Sequence, residues 1–198
     1  MARGAALMTA CRAEIVFDKD CSNLLPNTKL NKVLHARLLA EGPLTVAPEE
    51  HSRAGLFQGT LSASDIDAVS RPLSQVLRGQ VPAVFEGVAP YDPNAQAVLP
   101  GSTDVADVSW ITPTAQIWMA CFAFGTPMHS WQLVSQGKTG LAHAGMVRAA
   151  RVLAATAIEL IEQPQLIAQA RAELLERRKG QPYVCPIPAE VPLPFRRG

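Results

Sequence analysis

Few side chains in this sequence are equipped for chemistry, and the histidines come first. His129 lies in Phe124-Gly-Thr-Pro-Met-His-Ser-Trp131, directly after an apolar run, where a loop fixed by a strand end can aim a side chain at a substrate. A neutral imidazole at such a place is a good donor to zinc or manganese. Taken alone, a loop histidine more often serves as a hydrogen-bonded structural residue. Upstream, Gly101-Ser-Thr-Asp-Val-Ala-Asp-Val-Ser-Trp110 sets Asp104 and Asp107 three apart, which puts two carboxylates on one side of a helical turn. The plainer reading is a capped first turn, with Ser102 or Thr103 as the cap and the acids favoured by the helix dipole. Glu49-Glu50-His51 has the residue types of a metal site, but it sits in an aperiodic polar stretch and reads as a solvated loop. His143 opens a long helix, where capping, packing and approach to a pocket are all open to it; His35 falls inside a helix and reads as structural or exposed. A serine hydrolase using Ser130 or Ser109 with His129 has no GxSxG turn to support it.

These residues must be positioned by the elements around them. Gly4 to Thr9 reads as the tail of a helix or a connection, and Ala13 to Asp18 as a short strand. Asn27 as a cap, then Leu30, Val33, Leu34 and Leu38, then Gly42-Pro43 predict an amphipathic helix. Residues 43–61 show little periodicity. Ser64 is expected to cap a short helix over 65–70 that ends near Pro72, and a proline-rich connection runs from about Val81 to Pro100. Ala115 to Phe124 is apolar on both faces, as in a central strand between helix layers. Met146, Ala150, Leu153, Ala157 and Ile161 mark the packed stripe of a helix over 141–162; Pro164 restarts a second helix, in which Glu173 and Arg177 pair, and a proline-rich tail follows Gly180.

The bulk numbers narrow the class. The chain has 198 residues, 48% hydrophobic and 18% charged, with a formal net charge of +1. That excludes a disordered chain and gives no basic face for nucleic acid. No apolar run approaches the roughly 20 residues that cross a bilayer. The first residues lack a signal-peptide pattern, and Cys11, Cys21, Cys121 and Cys185 form no CxxC pair, so a cytoplasmic setting with reduced thiols is expected.

In order along the chain, GSTDVADVSW, PTAQIWMACFAFGTPMHSWQ and GLAHAGMVRAARVLAATAIEL resemble the zinc aminoacylase and glutamate-carboxypeptidase family of metallopeptidases and amidohydrolases. Within it the likeness is to the p-aminobenzoyl-glutamate hydrolase B-subunit type, which GAALMT, EIVFDK, CSNLLPNTKL and PYVCPIP also resemble. The resemblance implies an α/β fold: the C-terminal part of a split catalytic domain, a mixed sheet flanked by helices, with a remnant of a ferredoxin-like lid. Residues 1–21 would end the lid or dimerisation domain, and 22–198 would belong to the catalytic domain. It implies hydrolysis of an amide bond in p-aminobenzoyl-glutamate or a related N-acyl amino acid or peptide, at two divalent metals, zinc or manganese, that activate a bridging water. His129 matches the last metal ligand; the other ligands and the glutamate base precede the lid and have no match here. Ser102, Thr103, Asp104, Gly125 and Thr126 are the expected substrate-binding wall, with His143 as a further candidate. Action is therefore expected only with an N-terminal half or a paralogous subunit, in a homo- or hetero-oligomer, without nucleic acid or membrane. The alternative is a non-catalytic partner-binding subunit or an inactive remnant.

Overall fold

A computed structural model of the chain describes residues 1–93 and 101–192, with only the backbone of Gln75. Among them every regular element is a helix. α1 (Ala2–Met8) buries none of its residues, and no side chain in 1–20 is buried. α2 (Thr28–Glu41) runs between the limits read from the sequence: the Asn27 side chain accepts from the Leu30 N–H, and Gly42 ends the helix at φ 80°. α3 (Pro48–Gln58) is a helix where an aperiodic connection was expected. Pro48 fits its first turn, where no N–H is needed, and Glu49 and Glu50 lie at the positive end of its dipole. In α4 (Ala63–Ser70) the cap is Ser62, not Ser64, closing a capping box with Asp65. A 3-10 turn (Arg71–Leu73) carries Pro72 into the short α5 (Ser74–Leu77). α6 (Val105–Ile111), α7 (Trp131–Gln136), α8 (Gly140–Glu162) and α9 (Pro164–Arg178) complete the set.

The expected mixed sheet is corrected by this structure: the described residues contain no strand. Ala13 to Asp18 lies exposed, with Ile15, Val16 and Phe17 at 66%, 76% and 42% exposure. Residues 113–122 make no backbone–backbone hydrogen bond within the described chain. A strand is stable only as one of several, and neither segment meets a partner here. Three non-helical segments nevertheless lie side by side. The Leu44 N–H donates to Glu86 O and the Phe124 N–H to Ala83 O, both at 2.8 Å, one bond per pair and so short of a ladder. Leu44, Val84 and Ala123 from these segments form the core with Ala54 of α3 and Leu141 of α8.

Helix packing frames that core. α2 lies against both α8 and α9, and Asn27 Nδ2 donates to Ala170 O at 2.8 Å. Glu173 of α9 accepts from the Thr28 and Lys29 N–H groups at 2.9 and 2.8 Å, covering the otherwise bare start of α2, and also pairs with Arg177 as expected. α8 is turned away from its expected orientation. Its buried residues are Leu141, Gly145, Arg148, Val152 and Thr156, while Met146, Ala150, Leu153, Ala157 and Ile161 are all exposed. Both faces of this helix are rich in small and apolar residues, so periodicity alone picks out two stripes. Close approach selects one: a Cβ on Gly145 would stand 2.3 Å from Ala120 O, a contact only glycine permits.

Candidate functional site

A cleft of about 520 Å³ lies between α2, residues 85–91, residues 116–128 and α8. Its volume suits a small organic molecule. Phe85, Tyr91, Trp118, Phe122 and Phe124 give it aromatic walls. His35 stands on the α2 side, donating from Nε2 to Ala89 O at 3.0 Å and facing the Tyr91 ring at 5.7 Å, so its role includes lining the cleft.

One end of the cleft is built by the loop after Phe124. Gly125 takes φ 91°, and a Cβ there would meet Ile66 Cγ1 at 3.0 Å, so glycine is needed twice over. Thr126 is buried; its hydroxyl donates to Ala123 O at 2.7 Å and receives Gln136 Nε2 at 3.2 Å. Gln136, itself 2% exposed, accepts the Ala123 N–H at 2.7 Å, so one amide side chain fixes both ends of the bend. Met128 completes the wall. His129 follows in the left-handed region at φ 59°, a costly conformation for a residue with a side chain, and its imidazole is exposed.

The predicted site residues are therefore divided. Gly125 and Thr126 line the cleft; His129 adjoins it through Met128 but is not among its lining residues. Ser102, Thr103 and Asp104 are exposed at the start of α6 and lie outside the lining. Thr103 accepts the Val105 N–H at 3.3 Å, but the N-cap of α6 is Asp104, without a side-chain capping bond, and not Ser102 or Thr103 as expected. Asp107 ties distant segments together: Ser22 Oγ donates to it at 2.7 Å and Tyr183 Oη at 3.2 Å. The Ser22 hydroxyl holds its carboxyl below the usual range. Glu50 is a correction to the solvated-loop reading, since its carboxylate accepts the Leu141 N–H at 3.0 Å, capping α8, while His51 Nε2 lies 3.2 Å from Glu86. His143 is on the wall of a second cleft of about 460 Å³, with Glu41, Thr45, Arg148 and Arg151. Neither serine is free to act with His129: Ser130 donates to Pro127 O and caps α7, and Ser109 is 1% exposed, donating to Ala106 O.

No three His, Cys, Asp or Glu side chains among the described residues are grouped to hold a metal. With one candidate imidazole donor, these residues do not make a metal centre by themselves. What they can be assigned is binding and orientation. The residue that sequence reasoning missed is Arg148, which lines both clefts. It is 6% exposed. Its guanidinium donates to Gly42 O and, at 3.5 Å, to Met119 Sδ, and its Nε is buried without a partner. Burial pushes its pKa down, against the pull of Glu41. An arginine at the i+7 position from Leu141, inside a run of small residues, was the available signal.

No helix among the described residues is long and apolar enough to cross a membrane, and the four cysteines are unpaired. No family model matches the sequence, and no solved structure matches it. Over 206 aligned residues the chain is 41% identical to the B-subunit of p-aminobenzoyl-glutamate hydrolase from Escherichia coli (strain K12), an alignment taking in 99% of this chain and 43% of that protein. The chain thus spans less than half the length of this curated relative.

Proposed function

We propose that this chain is the C-terminal portion of an amide hydrolase acting on p-aminobenzoyl-glutamate or a related N-acyl amino acid, working in the cytosol with an N-terminal half or a paralogous subunit. The observation that carries this reading is the Gly125–His129 turn. Its buried half walls an aromatic cleft and its last residue is an exposed imidazole held at positive φ. The likeness to one chain of a p-aminobenzoyl-glutamate hydrolase supplies the substrate class, an aryl amide that suits aromatic walls. In this reading Gly125 and Thr126 shape the acyl pocket, and Ser102, Thr103 and Asp104 meet the substrate from the start of α6. His129 gives one donor to a zinc or manganese ion whose other donors come from the companion segment. Residues 1–21 belong to a lid-type domain and 22–198 to the catalytic one.

Co-expression with an N-terminal segment matching the rest of the relative tests it. The assembly should release p-aminobenzoate from p-aminobenzoyl-glutamate, and His129→Ala should lose both activity and bound metal. Unchanged metal content and turnover in His129→Ala would remove His129 from the centre. A second reading, a non-catalytic chain that binds a partner, draws on the exposed α8 stripe, where Met146, Leu153 and Ile161 are 60%, 49% and 77% exposed. An assembly that forms but cleaves nothing, with any divalent metal, would favour it.

A further inference from the structure

Arg148 combines features that a purely structural arginine avoids. Its guanidinium is removed from water, yet the groups it touches are a backbone carbonyl and a thioether, neither of them an anion. The acid near it, Glu41, is engaged with Arg151 at 3.4 Å. A buried guanidinium with an unsatisfied Nε–H is costly, and the cost falls when a carboxylate supplies the missing acceptor. The guanidinium fork matches carboxylate geometry, and Arg148 is among the residues lining a cleft that also carries the rings of Phe85, Tyr91, Trp118, Phe122 and Phe124.

We infer that Arg148 is the anion-binding group of the aromatic cleft, taking the carboxylate of an aryl-containing acid whose ring packs among Phe85, Tyr91 and Trp118. The choice of ligand class rests on the hydrolase reading, while the anion site stands on the geometry around Arg148. Arg148 binds and orients; it takes no part in bond cleavage. Because it stays tethered to Gly42 O at the end of α2, ligand binding there also fixes the junction of α2 with α8.

The test is calorimetric titration of the full chain with benzoate, 4-aminobenzoate and the neutral isostere benzamide. Benzoate should bind at least ~10-fold more tightly than benzamide, the discrimination expected of a charge-assisted hydrogen bond. Arg148→Gln should bring benzoate down to the benzamide level without altering benzamide, and Arg148→Lys should fall between. The wild-type comparison needs no variant, so a misfolded substitution does not rescue the inference. It is overturned if benzoate and benzamide bind wild type alike, if benzoate does not bind, or if a folded Arg148→Gln keeps the preference. Cleavage of p-aminobenzoyl-glutamate by the assembled protein without benzoate preference would sink this inference alone. Benzoate preference without cleavage would sink the hydrolase reading alone.

Discussion

Gly145→Ala probes the contact that sets both the packing of α8 and the back wall of the cleft. The new methyl would stand 2.3 Å from Ala120 O and 2.7 Å from Cys121 Sγ, whereas ordinary contact begins at 3.4 Å, so the two backbones must part by about 1.1 Å. Backbone cannot swing aside as a long side chain can. The cost belongs at the upper end of the roughly 1–3 kcal/mol typical of overpacking. Alanine's better helix propensity returns about 1 kcal/mol. The net loss is about 2 kcal/mol, or a fall in Tm of about 4–8 °C for a chain of this size. Gly55→Ala is the matched control, because Gly55 lies within α3 with nothing within 4 Å of its virtual Cβ. It should gain roughly 0.4–1 kcal/mol from the unfolded chain's lost freedom and raise Tm. Thermal melts followed by circular dichroism read both. A Gly145→Ala protein melting at or above wild type, with Gly55→Ala behaving as stated, would refute the close approach of α8 to residues 120–121.

Other consequences are as direct. Glu50→Ala removes the acceptor of the Leu141 N–H, and it should cost about 1–2 kcal/mol in urea unfolding with an unchanged m-value. Burial alone would raise the Glu173 carboxyl, but the Lys29 and Thr28 N–H groups, the Thr28 hydroxyl and Arg177 outweigh it and hold the group at about 2, against an ordinary 4.5. A depressed folded-state pKa gives stability that is complete above pH 4.5 and lost as pH falls from there towards 2. Glu173→Gln should therefore be less stable at neutral pH and show a shallower loss across that window; parallel pH–stability curves would contradict the assignment. His129→Ala in the assembly with the companion segment and Arg148→Gln in the chain itself separate the two proposed roles: on the hydrolase reading the first should lose bound metal, and on the anion-site inference the second should abolish the preference for benzoate.

Much of the helical frame was legible because its signals are local. Asn27 and Gly42 bound α2 by capping chemistry that needs no tertiary information, and Pro164 separates α8 from α9 for the same reason. α3 was hidden because only Ala54 of it is buried, so it has no apolar stripe to read. Strands are a property of pairs, and the run over 115–124 carries strand composition without a ladder among the described residues. The orientation of α8 could not be told from hydropathy, since the deciding contact is Gly145 against a carbonyl on another segment. At the site, Gly125 and Thr126 were expected from the likeness of their block to the family, not from a local signal, and they line the cleft. Arg148 was marked in the sequence only by its i+7 spacing from Leu141; its lack of an anionic partner is a property of the folded chain.

The bond from Asn27 to Ala170 has a bearing on biosynthesis. It spans 143 residues, and the helices packed against the one that Asn27 caps are α8 and α9. At about 5–20 residues per second, translation leaves the emerging α2 waiting roughly 7–30 s before α9 exists to receive it. Through that interval Leu34 and the surface around it face solvent uncovered. Slower decoding of the α8–α9 region should lengthen the wait and increase chaperone capture or aggregation of the nascent chain, with no change in the finished molecule's stability.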